Sequence, residues 1–556
     1  MAASKAFHGV IRGAESPKRS SQFEGRFGRM FRSLPPAEFT EAELAPLAAD
    51  DAMLSSPETT GNDERPKATP ENELDIEENF DIPAGYTYVG QFIDHDITFD
   101  PVSQLDRLND PEALTDYRTP RLDLDSLYGR GPADQPYLYD FSQEDRAAKF
   151  VLGRPLTFGQ QPSPAHDLPR LNGCAVIGDK RNDENVIVSQ FHGAMLKFHN
   201  AMVDALPART PFEAVAQQVR WHYQYAVIND FLRRICGDAV LKDVLPHFRT
   251  GKTPFEAPPR LHCYHWRNEA FMPIEFSVAA YRFGHSMVRP IYRLNKELDL
   301  GGPAVDEHAS LQGRHLIFAG VSSRALNGFR EFPADWGIDW SLFFGTPDRR
   351  ASHQGKSRVQ PSYKIDSSLV NPLGFLPEFC ERPTHEDRLT AANFRAKAKD
   401  SERPNLALRN LMRGAAMGLP SGQAVARAMG LPAWDGSRLL IGKAAFEEGQ
   451  LKARRLDDVA HHLSACTPLW AYILAEATTQ WHDEITARGL TGEAANLVGT
   501  RLGPVGARIV AETLVGLILA DSHSFLAQDP NWVPAAGWGG ADFGFESLLK
   551  VAGLLR

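Results

Sequence analysis

The stretch Tyr88-Val89-Gly90-Gln91-Phe92-Ile93-Asp94-His95-Asp96 decides how this chain is read. Its apolar spacing suits a helix, on which Gln91, Asp94 and His95 stand at i, i+3 and i+4 and share one face. Asp96 turns roughly 100° further round, toward a different neighbour. An amide and an imidazole on one face can work on a small polar substrate, while the carboxylate on the other can bind a cation. Read alone, the same residues also describe an ordinary core histidine held by an aspartate.

Three further stretches lie downstream. Thr119-Pro120-Arg121-Leu122-Asp123-Leu124-Asp125-Ser126-Leu127-Tyr128-Gly129 offers oxygens at Thr119, Arg121 (its carbonyl), Asp123 and Asp125. Such a loop can wrap Ca²⁺, which wants six to eight oxygens; it can equally be a turn with two solvated aspartates. Gly178-Asp179-Lys180-Arg181-Asn182-Asp183-Glu184-Asn185 precedes a helix through His192 and His199. A guanidinium near an imidazole polarises a peroxide bond, whereas a lone Arg in such a turn is commonly an exposed charge. His192 and His199 read as packing residues. Glu275-Phe276-Ser277-Val278-Ala279-Ala280-Tyr281-Arg282-Phe283-Gly284-His285-Ser286 sets small residues beside a histidine. That leaves room for a flat macrocycle over an axial imidazole, or describes a second core histidine.

The surroundings are those of an ordinary globular chain. Of 556 residues, 43% are hydrophobic and 23% charged, with a formal net charge of −10. That balance and a pI near 6.0 exclude a general nucleic-acid or membrane-surface binder. Apolar stripes at helical spacing run through 214–236, 275–292 and 505–526, with little β-type alternation. Pro- and Gly-rich connections at 245–260, 368–378 and 528–540 separate these blocks, so the fold class expected is mainly α. Residues 1–75 read as an arm or linker rich in Pro, Ser, Asp and Glu, with a charged patch at 62–67. Within it, Phe27-Gly28-Arg29-Met30-Phe31 has aromatics able to dock on the body. The run 509–520 contains Glu512 and is too short to span a membrane; it reads as a buried core helix. The N-terminus lacks the apolar segment of a Sec signal. Cys174, Cys236, Cys263, Cys380 and Cys466 form no CxxC pair and read as mostly buried thiols of a reducing compartment.

In this order, GQFIDHD, LDLDSLYG, GDKRNDE and YRFGHS resemble the motif series of the animal haem peroxidase (peroxidase–cyclooxygenase) superfamily, in the branch of myeloperoxidase and lactoperoxidase. Further similar stretches are Arg409-Asn410-Leu411-Met412-Arg413 before Gly418-Leu419-Pro420, Thr467-Pro468-Leu469-Trp470, and Leu502-Gly503-Pro504-Val505-Gly506, so the resemblance spans 80–525. It implies a prokaryotic-type member with a single large α-helical domain over 76–556 and haem between distal and proximal helices.

The resemblance also implies roles. His95 would be the distal acid–base, Arg181 the distal arginine, and Gln91 a holder of water or halide. His285 would ligate the haem iron, with Asn410 accepting its Nδ1–H. Arg282 and Arg413 would face the propionates, and Asp94 and Glu184 match the carboxylates that become ester-linked to haem b. Asp96, Thr119, Arg121, Asp123 and Asp125 would hold Ca²⁺. One departure is Asn185, where myeloperoxidase has a sulfonium-forming methionine; a less oxidising haem and weak chloride oxidation follow. A second is Asp125, where the animal enzymes have serine.

The implied activity is reduction of H₂O₂ and oxidation of small donors (phenols, iodide, bromide, thiocyanate) through an oxoferryl intermediate, suited to a response to oxidative stress. Neither nucleic acid nor a membrane span is expected, and the location implied is cytoplasmic or non-classically secreted. Oligomeric state is not encoded in these motifs. Two other readings compete. A haem-dependent fatty-acid dioxygenase requires a tyrosine three residues before the proximal histidine, where this chain has Arg282. A catalytically degenerate haem-binding protein is disfavoured by intact His95, Arg181, His285 and Asn410.

Overall fold

Among the described residues six helices exceed ten residues: α1 (Gly85–Ile97), α2 (Val186–Ala205), α3 (Phe212–Ala226), α4 (Leu406–Ala416), α5 (Leu469–Ala487) and α6 (Pro504–Ala520). The computed structural model describes residues 25–49, 52–54, 75–98, 115–116, 118–266, 269–298, 313–318, 325–349, 355–374 and 405–556. Strands are short and scattered. They include β1 (Gly25–Gly28), β2 (Glu78–Pro83), β3 (Met272–Pro273) and β4 (Pro361–Tyr363), in sheets of two or three strands. The architecture is mainly α.

The helices pack because their apolar stripes have nowhere else to go. On α1, Val89, Phe92, Ile93 and Ile97 are fully buried. Phe92 meets Phe191 of α2 and Tyr223 of α3 edge-on at centroid distances of 5.3 and 6.0 Å. Helix α6 is apolar nearly all round and sits inside, as the run 509–520 predicted. Its Glu512 is buried and accepts the N–H groups of Cys263 and Tyr264 at 2.7 and 3.1 Å. Among the described residues no helix is long and apolar enough to cross a membrane.

Several expected helices are interrupted. The 214–236 stripe is one rod, but α3 gives way to a π-type turn over Val227–Leu232 before Arg233–Cys236. The 505–526 stripe ends at Ala520, and Ser524 caps a separate short helix, Phe525–Gln528. The largest correction concerns 275–292. A π-type turn (Glu275–Ala279) meets a 3₁₀ segment (Ala280–His285), with Ala279 at φ −128°, ψ −73° between them. Tyr292 then lies in a strand, Ile291–Arg293. Pro290 disfavours the helical conformation at Arg289 and helps end the run.

The N-terminal arm docks as its aromatics suggested: Phe27, Met30 and Phe31 are buried. Strand β1 pairs in parallel with β3, putting Phe27 opposite Met272. Two side chains then clamp the arm. Glu275, at the start of the segment leading to His285, accepts the N–H groups of Met30 and Phe31 at 2.9 and 3.1 Å. Arg29 donates to the carbonyls of Gly418 and Met417 at 2.7 and 3.0 Å, closing the C-terminal end of α4. The arm thereby joins two segments that are distant in sequence. The charged patch at 62–67 and Cys380 lie outside the described residues. Of the other cysteines, all free, Cys174 and Cys466 are exposed and only Cys236 is fully buried, which corrects the expectation of mostly buried thiols.

Replacing Glu275 by Ala leaves two N–H groups without their acceptor. An unsatisfied buried donor costs about 1–3 kcal/mol, so Glu275→Ala lowers the urea midpoint measurably. A wild-type midpoint would show that the clamp does not hold the arm.

Candidate active site

Helix α1 starts where backbone from elsewhere satisfies its first donors. The N–H of Ala84 bonds to Gln360 O at 2.8 Å and that of Gly85 to Phe343 O at 2.9 Å. A Cβ on Gly85 would come within 2.5 Å of the Phe344 ring and 2.7 Å of Phe343 O, so only glycine allows this approach. Along α1 the half-buried positions are Gly90, Gln91 and Asp94, beside buried His95. This stripe looks toward the 275–285 segment, since Asp94 acts electrostatically on Tyr281 and Arg282.

On the α1 side, His95 Nδ1 lies 2.9 Å from Asn182 Oδ1, while Nε2 has no protein partner among the described residues. Burial, aided by the Arg181 charge, pushes the imidazole down to about 4, so it is neutral near pH 7. Arg181 Nη2 donates to His95 O at 2.7 Å and to Asp179 at 2.8 Å. Burial alone would raise the Asp179 carboxyl, but Arg181 and Arg118 outweigh it and hold the group far below the usual range. Gln91 Nε2 donates to Glu184 Oε2 at 2.7 Å, and Gln91 Oε1 accepts from Asn185 Nδ2 at 3.0 Å. Asn185 also caps α2 through Ile187 and Val188 N–H. The 178–185 motif is thus both a cap and a partner of α1.

On the opposite side, His285 Nδ1 lies 2.9 Å from Asn410 Nδ2. The expected pair forms, with one difference. Arg282 Nη1 donates to Asn410 Oδ1 at 2.9 Å, so the amide presents its nitrogen, not its oxygen, to the imidazole. Burial, with Arg282 adding to it, pushes His285 down to about 3. Arg282 is itself pressed by Arg413 and Arg409 and relieved by Asp94. A Cβ on Gly284 would meet nothing within 4 Å. A neutral imidazole with an unengaged Nε2, open space beside Gly284 and three clustered guanidinium groups suit a flat, dianionic, metal-bearing macrocycle.

A third cluster sits behind α1. Carboxylate oxygens of Asp96, Asp123 and Asp125 lie within 4.8 Å of one another. Leu124, at φ +59°, takes the left-handed conformation between the two loop aspartates. Asp96 accepts from Leu124 N, Ser126 N and Ser126 Oγ at 3.2, 3.4 and 2.9 Å. Thr119 Oγ1 donates to Asp123 Oδ2 at 2.7 Å, and Arg121 N–H to Thr119 O, also at 2.7 Å. Burial pushes all three carboxyls up, Asp125 to about 7; repulsion from Asp125 and Asp123 adds to it at Asp96, from Asp123 at Asp125, and from Asp521 at Asp123. Asp125 Oδ1 is buried without a hydrogen-bond donor. This oxygen-only donor set suits a hard divalent cation. Arg118 links the cluster to the His95 side: Nη1 is 3.6 Å from Asp125 and Nη2 2.7 Å from Asp179.

Asn182 and His192 received no functional role from sequence. Asn182 is buried and bridges the imidazoles: Oδ1 on His95 and Nδ2 3.0 Å from His192 Nδ1. An Asn within a charged turn is what turn propensity alone would supply, so nothing in the motif singled it out. A surface cleft of about 570 Å³ lined by Phe80, Asp81, Arg234 and residues 345–349 contains none of the residues above.

Comparison with known proteins places the chain in a family. The family model described as animal haem peroxidase matches residues 50–334, just over half of the chain, including His95, Arg181 and His285. A peroxidase-like protein of Margaritifera margaritifera is 28% identical over 258 residues, covering 37% of this chain and 32% of that protein. The chain therefore spans about a third of that relative. Among solved structures, peroxidase A from Dictyostelium discoideum superposes with a TM-score of 0.50 at 12% identity, over 96% of this chain and 94% of its own. A fatty acid α-dioxygenase of Arabidopsis thaliana gives a TM-score of 0.47 at 13% identity, over 88% and 71%. On the family match, this chain belongs to the animal haem peroxidases.

Proposed function

We propose that this protein is a haem peroxidase that reduces H₂O₂ and oxidises small donors such as phenols, iodide, bromide or thiocyanate. The observation that carries this reading is a pair of neutral imidazoles, buried His95 and half-buried His285, each with Nδ1 engaged by an amide and Nε2 unengaged. His285 Nε2 would hold the haem iron, and Arg282 with Arg413 the propionates. Asp94 and Glu184, both half-buried, are the carboxylates for ester links to the macrocycle. When bound, haem supplies the two electrons that break the peroxide O–O bond and recovers them from the donor.

The protein's part is proton movement and positioning. His95 Nε2 takes a proton from one peroxide oxygen and returns it to the other, which departs as water. Arg181, anchored by Asp179 and the His95 carbonyl, supplies positive charge next to that exchange. Gln91, held by Glu184 and Asn185, fixes an amide on the same face for water or halide. On His285, drawing Arg282 toward a propionate would free Asn410 Oδ1 to accept the Nδ1–H that iron ligation requires.

Haem-loaded protein turning over a phenolic dye with H₂O₂ tests the reading. Because His95 is neutral down to about 4, the rate constant for peroxide stays flat from about pH 8 to about pH 5, then falls as the base is protonated. His95→Ala reduces it by about 10²-fold or more. Oxygen uptake with linoleate and no dye turnover would overturn the assignment in favour of a dioxygenase. Haem that stays with the protein in acidified organic solvent after turnover, and is released from Asp94→Ala/Glu184→Ala, would identify the ester links; haem extracted freely from wild type would rule them out.

We also assign Ca²⁺ to Asp96, Asp123, Asp125 and Thr119, with the Arg121 carbonyl. Removing the ion with a chelator should lower the melting temperature, and Ca²⁺ should restore it. Asp123→Asn should abolish that response. A melting temperature indifferent to both chelator and Ca²⁺ would remove the assignment.

A further inference from the structure

Asn182 is fully buried in the turn before α2 and touches two imidazoles with its two different ends. Its Oδ1 lies 2.9 Å from His95 Nδ1, and its Nδ2 lies 3.0 Å from His192 Nδ1. An amide oxygen only accepts and an amide nitrogen only donates. In this orientation His95 must carry its proton on Nδ1 and a lone pair on Nε2. His192 must accept at Nδ1 and carry its own proton on Nε2. That second nitrogen is buried and has no hydrogen-bond partner.

A histidine buried at this cost calls for a reason, since an unpartnered polar atom is destabilising. His192 supplies something that no aliphatic residue in its place could. Its Nδ1 lone pair gives the Asn182 nitrogen an acceptor, so the amide orientation and the two ring tautomers form one coupled set in which His192 Nε2–H goes with His95 Nδ1–H. Were the amide turned over, its N–H₂ would face His95 Nδ1, the His95 proton would move to Nε2, and the base would be lost. In the observed orientation the neutral and protonated forms of His95 both donate from Nδ1 to the same oxygen. His95 can thus gain and lose a proton at Nε2 without any rearrangement behind it.

We propose that Asn182 and His192 are positioning residues that lock His95 in the Nδ1–H tautomer. This inference rests on the peroxidase reading only in supposing what the Nε2 lone pair is for. In the exchange with peroxide the mobile proton goes from H₂O₂ to Nε2 and back to the departing oxygen, while the Nδ1 proton stays on His95, donated to Asn182 Oδ1. The charged groups that act on His95 are Arg181, Asp179 and Asp94, and on His192 it is Asp179, with the titratable His95 beside it. None of them donates to or accepts from either Nδ1, so the tautomer depends on the amide.

The test uses nitrogen-15 histidine labelling of the full chain, without haem, and reads each ring nitrogen by long-range proton correlation. Wild type should show His95 protonated on Nδ1 and His192 on Nε2. His192→Leu should let the amide turn and move His95 wholly or partly to Nε2–H, whereas His192→Gln, which keeps an acceptor, should restore the wild-type pattern. Asn182→Asp, whose carboxylate still accepts, should keep Nδ1–H. After haem loading, His192→Leu should slow the peroxide reaction by about tenfold or more with haem affinity unchanged. Wild-type His95 protonated on Nε2, or a His95 tautomer indifferent to His192→Leu and Asn182→Val, would overturn the lock. A correct tautomer in a protein that ignores peroxide would instead overturn the peroxidase reading and leave the lock standing.

Discussion

One buried carboxylate holds the distal half of this site together. Asp179 receives Arg118 at 2.7 Å and Arg181 at 2.8 Å, and the two guanidinium groups keep it ionised despite burial. Each arginine has a second attachment, Arg118 to Asp125 and Arg181 to the His95 carbonyl. The 178–185 turn, helix α1 and the acidic loop are therefore one electrostatic unit. Removing either guanidinium would leave the buried carboxylate with only one of its two cations, the costly way to break such a network. The acidic cluster and the His95 imidazole are mechanically coupled, because Asp96 and His95 are neighbours on the same helix.

The two halves of the site solve the same problem with opposite polarity. Both imidazoles are kept neutral by burial, and both rest Nδ1 on an asparagine. Asn182 turns its oxygen to His95, while Asn410 turns its nitrogen to His285. A third group is tied to each choice: His192, whose tautomer is coupled to the Asn182 amide, and the obligate donor Arg282 beside Asn410. The amide behind His95 is thus partnered by a residue buried in the core. The amide behind His285 is set by an arginine that an anionic ligand can attract, so this side can change when the site is filled. The N-terminal arm supports the second half, since Arg29 closes α4 and Glu275 starts the segment carrying His285.

The helical class and the His95 face were legible because helical spacing shows directly in the positions of Val89, Phe92, Ile93 and Ile97. The acidic cluster was legible in part: Asp123 and Asp125 alternate in one loop, but the approach of Asp96 comes from tertiary packing. The segment before His285 was misread as a long helix because Ala, Tyr and Phe at helical intervals cannot reveal the break at Ala279. Asn182, His192 and Asp179 escaped for a related reason. Their importance lies in which partner each end faces, and a turn rich in Asp and Asn looks the same whether it is solvated or buried. Two of five cysteines proved exposed, since residue type alone does not place a thiol.

The central claim is that haem sits between His95 and His285 with His285 as its ligand. Titrating haem into wild type and His285→Gly, followed by absorbance and electron paramagnetic resonance, tests it directly. The account predicts a high-spin ferric signal with one histidine ligand in wild type, its loss in the variant, and its return when free imidazole is added. An unchanged signal in His285→Gly without imidazole would place the ligand elsewhere and contradict the account.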